Sequence, residues 1–340
     1  MDSISPITLK DIAERLNISI STVSRALRNH PDVNAKTKRR VLQLAEELDY
    51  EPNELALSLL KGHSNIIAVI IPKVAYHLYA TAIAAIENVI RLHGYTLVTA
   101  QTHESSEREI AAIKELIKNR VAGFIISLAS ETNEFSHFEL IKRKSIPLVF
   151  FNRDCEEIIT SRVVIDNVDA ACKAVNHLLE MGYQKIAFLG ASKLVQISNR
   201  RLQGYKRALQ EKQISVSKKY IIHCDFEKES VMDATRKLLS LTHPPDAILA
   251  FSDQMAINAM LTIKEAGLKI PTDMGLMGFN NEPMDEVICP TLTSVHQPGY
   301  EMGKIAGELL LHKIKNKQST QSELSVLSTK IVVRESTKKA

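Results

Sequence analysis

From Ile66 onward the chain alternates short apolar runs with longer stretches of helical periodicity, and this alternation narrows the possible folds more than any other feature. Strand-like runs fall at residues 66–71, 96–100, 123–128, 148–151, 163–165, 186–189, 221–224, 247–251, 275–279, 294–296 and 330–333. The longest, Ile66-Ile67-Ala68-Val69-Ile70-Ile71, has the length of a buried strand. It is far short of the roughly 20 apolar residues a membrane helix needs. Between the runs, segments such as 80–93, 107–119 and 170–181 repeat apolar positions at helical spacing. Alternation of this kind builds parallel sheets covered by helices. Eleven strands over about 270 residues predict two doubly wound lobes rather than one. Ligands of such folds sit at the carboxyl ends of strands, which puts one pocket in the cleft between the lobes.

The first sixty residues read differently. Thr8 is placed to cap a helix, with Asp11 three residues on and Leu9, Ile12, Ala13 and Leu16 at helical spacing. Asn17 suits a left-handed C-cap. Ser19 opens a second short helix carrying Val23, Ala26 and Leu27. A third runs from Asn34 or Ala35 to Leu48, with Val41, Leu44, Ala45 and Leu48 as its stripe. Two short helices joined by three or four residues read as a helix-turn-helix, an all-α headpiece. Its second helix presents Ile20, Ser21, Ser24 and Arg25 at the end that reaches base edges in a major groove.

Charge supports this placement. Between Arg25 and Arg40 stand Arg25, Arg28, Lys36, Lys38, Arg39 and Arg40 against Asp32 alone. Four of the six crowd the first turns of the third helix, the wrong end for the helix dipole, which favours an external anion such as phosphate. The excess is then cancelled by Glu46, Glu47, Asp49, Glu51 and Glu54, so residues 1–63 carry nine basic and nine acidic side chains. The whole-chain charge of +4 therefore says nothing about the headpiece.

These residues carry a family resemblance. The runs Ile7-Thr8-Leu9-Lys10-Asp11-Ile12-Ala13 and Ser19-Ile20-Ser21-Thr22-Val23-Ser24-Arg25-Ala26-Leu27 closely resemble the headpiece of the LacI/GalR family of bacterial transcription regulators. So do Val33-Asn34-Ala35-Lys36-Thr37 and Leu48-Asp49-Tyr50-Glu51-Pro52-Asn53, and the likeness runs through nearly the whole chain. It implies that Ile20 and Ser21 choose the operator sequence and that Arg25 contacts a base. It implies phosphate contacts from Thr8, Ser19, Thr22, Ser24, Asn34, Thr37, Tyr50 and Asn53, with Leu9, Ala56 and Leu59 completing the DNA-facing set. Pro52-Asn53 ends the third helix, and residues 54–62 are helix-forming but only about two turns long, which is marginal in water. The resemblance makes this segment a hinge helix that folds when two copies pair in the minor groove, with Leu59 as an apolar wedge. Leu57 departs from the family, which often has an arginine there.

The same resemblance gives the large region a periplasmic-binding-protein-like core with three crossings between lobes. Arg201 matches the family's effector-binding arginine, whose planar fork suits paired sugar hydroxyls or a carboxylate. Neighbouring Arg200 is better suited to a surface salt bridge. Phe226 and Tyr79 match aromatics on opposite lobes. Ser127, Asn152, Arg153, Asp253, Asn280, Gln297 and Asp166 complete the effector-facing set. Asn152 and Asn280 stand where relatives often carry acids; neutral amides still hydrogen-bond hydroxyls, so a sugar or sugar derivative fits.

Other classes lack their signatures. There is no GxGxxG and no GxxxxGK[ST]. His137-Phe138-Glu139 satisfies H-x-E without a following PCxxC, and Ser215-Val216-Ser217-Lys218 is an S-x-x-K without its companion motifs. The eleven histidines show no metal-ligand spacing. No catalytic residue, cofactor or metal is therefore expected. Met1-Asp2-Ser3-Ile4-Ser5-Pro6 has no export signal, and four widely spaced cysteines predict reduced thiols in a cytoplasmic chain away from membranes. The expected organisation is a headpiece at 1–51, a hinge helix at 52–63 and a bilobed effector and dimerisation domain at 64–340. Lobe 1 is expected at about 65–163 and 296–325, and lobe 2 at about 164–293 and 326–340. The expected function is a dimeric repressor of double-stranded operator DNA under a sugar-like effector. The alternative is a solute-binding protein with the same bilobed core and no DNA role.

Overall fold

The computed structural model describes residues 7–27, 29–50, 64–316 and 322–338. The chain divides into two units, Met1–Ser64 and Asn65–Ala340. The hinge segment, with Asn53, Ala56, Leu57 and Leu59, lies outside the described residues.

The first unit holds α1 (Leu9–Leu16), α2 (Ile20–Leu27) and α3 (Ala35–Glu47). Local sequence sets the starts of all three helices and the end of α1. Thr8 and Asp11 form a reciprocal capping box, and the Thr8 hydroxyl and amide hold the Asp11 carboxyl below its ordinary range. Asn17 ends α1 in the left-handed conformation. The Ser19 hydroxyl accepts from the Thr22 amide at 3.1 Å to open α2, and Asn34 Oδ1 accepts from the Thr37 amide at 2.8 Å to open α3. Ile12, Ala13, Val23, Ala26, Val33, Val41 and Ala45 form the core among the three helices.

The second unit contains two six-stranded sheets. The first holds β1 (Ile66–Ile71), β2 (Thr96–Gln101), β3 (Gly123–Ile126), β4 (Leu148–Phe151), β5 (Ser161–Ile165) and β11 (Leu324–Leu327) in the order β11-β5-β4-β3-β1-β2, all parallel. The second holds β6 (Ile186–Gly190), β7 (Ile221–His223), β8 (Ala247–Ala250), β9 (Gly275–Asn280), β10 (Thr293–His296) and β12 (Lys330–Val332) in the order β12-β10-β9-β8-β6-β7. Among the described strands only the edge strand β12 runs antiparallel to its neighbour. The chain leaves one sheet for the other after β5, after β10 and after β11, which makes three crossings. The first sheet thus keeps Val164 and Ile165, and Val326 and Leu327, beyond the expected changes at 163 and 325. β11 had no counterpart among the expected strands. It is an edge strand whose side chains are only half-buried or exposed, so it lacks the apolar run that marks its neighbours.

The inner strands of each sheet are buried on both faces, and the pleat sorts their side chains. In β1, Ile67, Val69 and Ile71 pack beneath α4 (His77–Arg91) and α11 (Gly299–Lys315), through Ile86, Met302 and Ala306. Ala68 and Ile70 point the other way, to Ile113 and Leu116 of α5 (Ser106–Lys118) and Phe138 and Ile141 of α6 (Ser136–Arg143). In the second sheet, Ile186 and Phe188 face α7 (Asn167–Glu180) and α8 (Gln196–Glu211). Ala187 and Leu189 face α9 (Lys228–Leu239) and α10 (Asp253–Glu265). Gly204 lets α8 lie against α7, because a Cβ there would stand 2.1 Å from the Val168 carbonyl oxygen. Among the described residues no helix is long and apolar enough to cross a membrane.

Candidate functional site

In the headpiece, Ile20 is 48% exposed, and Ser21 and Arg25 are exposed beside it on α2. The Ser19 hydroxyl lies 2.8 Å from those of Ser21 and Thr22, so α2 begins on a cluster of three oxygens. Ser24 is half-buried on the same helix. Thr8 and Asn34 stand at the starts of α1 and α3, with Thr37 in the first turn of α3. Leu9 and Tyr50 are half-buried against the headpiece core. Among the described residues, Arg25, Lys36, Arg39 and Arg40 are exposed and have no acidic partner, whereas Lys38 is drawn to the Asn29 side chain at 2.8 Å. The basic run is thus largely free to meet a polyanion.

In the second unit, a cleft of about 710 Å³, open solvent at its mouth included, lies at the carboxyl ends of strands from both sheets. Tyr79 comes from α4, Asn152 and Arg153 follow β4, Arg201 projects from α8, and Phe226 follows β7. Asn280 ends β9, and Gln297 follows β10. Seven of the residues expected to face an effector therefore meet in one place.

Their geometry is specific. The Tyr79 hydroxyl accepts from Asn152 Nδ2 at 2.9 Å and lies 3.0 Å from Ser127 Oγ, while its ring meets Phe151 edge-on at 5.9 Å. Burial pushes the Tyr79 phenol up, which keeps it a neutral hydrogen-bonding group. Asn152 adopts a left-handed backbone, φ 58°, and so turns its amide back into the cleft. Arg153 is held bidentate by Glu104, at 2.6 and 3.0 Å, and lies 5.8 Å from the Phe226 ring centre. Arg201 is 2% exposed. Its Nε donates to Asn167 Oδ1 at 3.0 Å, its Nη1 donates to the Phe251 carbonyl, and the rings of Phe251 and Phe279 cover its guanidinium at 4.6 and 3.9 Å. Burial first, and then the charge of Arg153, push the guanidinium down to about 9. Gln297 Nε2 donates to Asn280 Oδ1 at 2.6 Å, and the buried Gln297 Oε1 has no partner among the described residues.

Three expected residues fall outside the lining. Ser127 stands behind Tyr79. Asp253 is fully buried: its carboxylate accepts from Ser294 Oγ at 2.6 Å and from the Glu282 amide at 3.0 Å, and burial beside Asp285 drives it toward the neutral acid. It braces the loop that carries Asn280. Asp166 is exposed and caps α7. The walls also include Tyr76, Ile197, Phe251, Met255 and Glu282, which were not anticipated. Phe251 and Glu282 each sit within two residues of an expected position, at the ends of β8 and β9, so strand-end position was the usable signal. Arg200 pairs with Asp154 at 3.1 Å and Glu156 at 2.7 Å, in keeping with its salt-bridge expectation, but across the lobes and half-buried.

A helix-turn-helix joined in one chain to a bilobed, polar-lined cleft defines a ligand-responsive DNA-binding regulator. Residues 8–53 match the bacterial regulatory proteins of the lacI family, and residues 175–337 match a periplasmic binding protein-like domain. The chain is 33% identical to the HTH-type transcriptional repressor CytR of Escherichia coli (strain K12), over 97% of this chain and 96% of that protein. Among solved structures it is similar to the lac repressor dimer bound to operator and the anti-inducer ONPF, with a TM-score of 0.84 and 26% identity over 98% and 99% of the two chains. It is also similar to the transcriptional regulator CelR in complex with cellobiose, with a TM-score of 0.74 and 26% identity over 97% and 99%. The chain belongs to the LacI family of bacterial transcription regulators, whose members are DNA-binding proteins rather than enzymes.

Proposed function

We propose that the chain is a cytoplasmic homodimeric repressor whose grip on a pseudo-palindromic operator is set by a sugar-like ligand in the cleft. The headpiece, residues 1–51, reads one half-site through Ile20, Ser21 and Arg25, and Thr8, Ser19, Thr22, Ser24, Asn34, Thr37 and Tyr50 hold the backbone. Residues 52–63 act as the hinge helix, with Asn53, Ala56 and Leu59 at the minor groove. Residues 64–340 sense the ligand and carry the dimer contacts. Tyr79, Asn152, Arg201, Phe226, Asn280 and Gln297 contact the ligand; Arg153 shapes the wall, and Ser127 and Asp253 position those that touch.

The observation that carries this reading is the meeting of Arg201, the three carboxamides of Asn152, Asn280 and Gln297, and the rings of Tyr79 and Phe226 at the strand ends of both sheets. Ring hydroxyls can pair there with forked and amide donors, while an apolar ring face lies on Phe226. Support also comes from the lac repressor, solved as a dimer on operator, and from CelR, solved with cellobiose. Selection of bound DNA from a random pool, repeated with individual sugars, tests it. The expected result is one palindromic sequence whose recovery changes with a particular sugar and falls steeply with salt. Recovery of no preferred sequence contradicts the DNA role and leaves the solute-binding alternative.

A further inference from the structure

We propose that the ligand of this cleft carries an oxyanion, a carboxylate or a phosphate, seated on Arg201. The inference rests on the effector reading above and comes from the balance of charge on the cleft walls.

Three charged side chains line the cleft: Arg153, Glu282 and Arg201. The first two are compensated by the protein. Arg153 is locked bidentate to Glu104, at 2.6 and 3.0 Å. Glu282 Oε2 accepts from the His77 amide at 3.3 Å, at the start of α4, a helix with no side-chain cap and no acid in its first turn. The positive end of that helix meets the carboxylate.

Arg201 has no such partner. Among the described residues no carboxylate forms an ion pair with it, although its charge is almost wholly buried. Its contacts are an amide oxygen, a carbonyl oxygen and two phenyl faces, all neutral. Asp253, an acid whose charge acts on Arg201, has its oxygens on the Ser294 hydroxyl and the Glu282 amide. The two positions where the family resemblance places acids hold Asn152 and Asn280, which bond to Tyr79 and Gln297. The walls thus supply hydrogen bonds and no negative charge at the guanidinium. A buried cation without a counter-charge is costly, and an oxyanion from the ligand removes that cost. A neutral diol would leave it in place.

Asn167→Asp in the full chain tests this without a ligand. It puts a carboxylate where an amide oxygen now lies 3.0 Å from Arg201 Nε. Asn167 opens α7 and its Nδ2 donates to the Ile165 carbonyl at 3.4 Å, effects that do not involve Arg201, so the substitution is made both in the wild type and in an Arg201→Gln background. If Arg201 lacks a counter-charge, Asn167→Asp raises the melting temperature more when Arg201 is present; an equal effect in the two backgrounds, or a smaller one with Arg201 present, overturns the proposal.

Calorimetric titration of the wild type and Asn167→Asp with neutral and anionic partners supplies the second arm. The probes are D-glucose, D-glucuronate and D-glucose 6-phosphate, D-ribose and D-ribose 5-phosphate, and uracil and orotate. The anion is expected to bind the wild type at least about tenfold more tightly than its neutral partner, with the gap closing in Asn167→Asp. Glucuronate against glucose 6-phosphate separates carboxylate from phosphate. Equal or tighter binding of the neutral member overturns the proposal. An anion preference seen only with orotate supports it while removing the sugar reading. The melting arm decides the matter even if none of these probes binds.

Discussion

Arg200 joins the two lobes through ion pairs, and its replacement by alanine should loosen them by a calculable amount. It projects from α8 of the second lobe to Asp154 Oδ1 at 3.1 Å and Glu156 Oε1 at 2.7 Å, both in the segment after β4 of the first lobe. The Glu156 side chain is 66% exposed, so that arm contributes about 0–0.5 kcal/mol. The Asp154 side chain is 3% exposed, and a buried charged hydrogen bond of this kind contributes about 1.5–3 kcal/mol. The low end applies, because Arg162 still holds Asp154 Oδ2 at 3.0 Å after the substitution and no carboxylate is orphaned. The sum is about 1.5–2 kcal/mol, or roughly a 10–30-fold rise in the population with the lobes apart. Hydrogen exchange of the His77 amide, which donates across the lobes to Glu282 Oε2 at 3.3 Å, reads this directly, and the expected change is acceleration by that factor in the ligand-free protein. In the proposed reading the ligand binds the shut form, and effector affinity then falls by at most that factor, because the apparent dissociation constant rises only as the shut fraction declines. Exchange within twofold of the wild type, in a protein that melts normally, would refute the latch.

Two further substitutions bear on other parts of the molecule. Burial pushes the neighbouring carboxyls of Asp253 and Asp285 above their ordinary 3.8, and the two titrate as a pair, with Asp285 reaching about 7. The folded chain therefore binds more protons than the unfolded one between roughly pH 4 and 7, and wild-type stability falls as pH rises through that window. Asp285→Asn should flatten this part of the profile; denaturant midpoints at pH 5 and 7.5 that shift as in the wild type would contradict it. Exchanging Ile20 and Ser21 for other residues should change the selected operator sequence while stability stays within about 0.5 kcal/mol, because both are exposed. An unchanged sequence would remove them from base recognition.

The headpiece was legible in detail because its boundaries are chemical. Thr8, Asn17, Ser19 and Asn34 each satisfy a helix end with their own side chain or backbone. The buried strands were legible because both of their faces are covered, which leaves an apolar run. β11 was not, since an exposed edge strand carries no such run. The cleft divides along the same line. Arg201 and Phe226 stood out as residue types in a recognisable pattern, whereas the isolation of Arg201 from any acid depends on where Glu104 and Asp253 point. Glu104 lies 49 residues from the arginine it neutralises, and Asp253 faces away from the cleft toward Ser294. Spacing along the chain encodes neither relation. Arg200 was legible as a salt-bridge residue, but not as one that spans two lobes.

The central claim is that ligand and operator communicate through one protein. Its most direct measurement is the ligand's dissociation constant with and without saturating operator DNA, beside the operator's dissociation constant with and without saturating ligand. Linkage requires both ratios to depart from one by the same factor, typically about 5–150. Ratios of one, with ligand and operator each bound tightly, would contradict the coupling and leave a cleft and a headpiece that act independently.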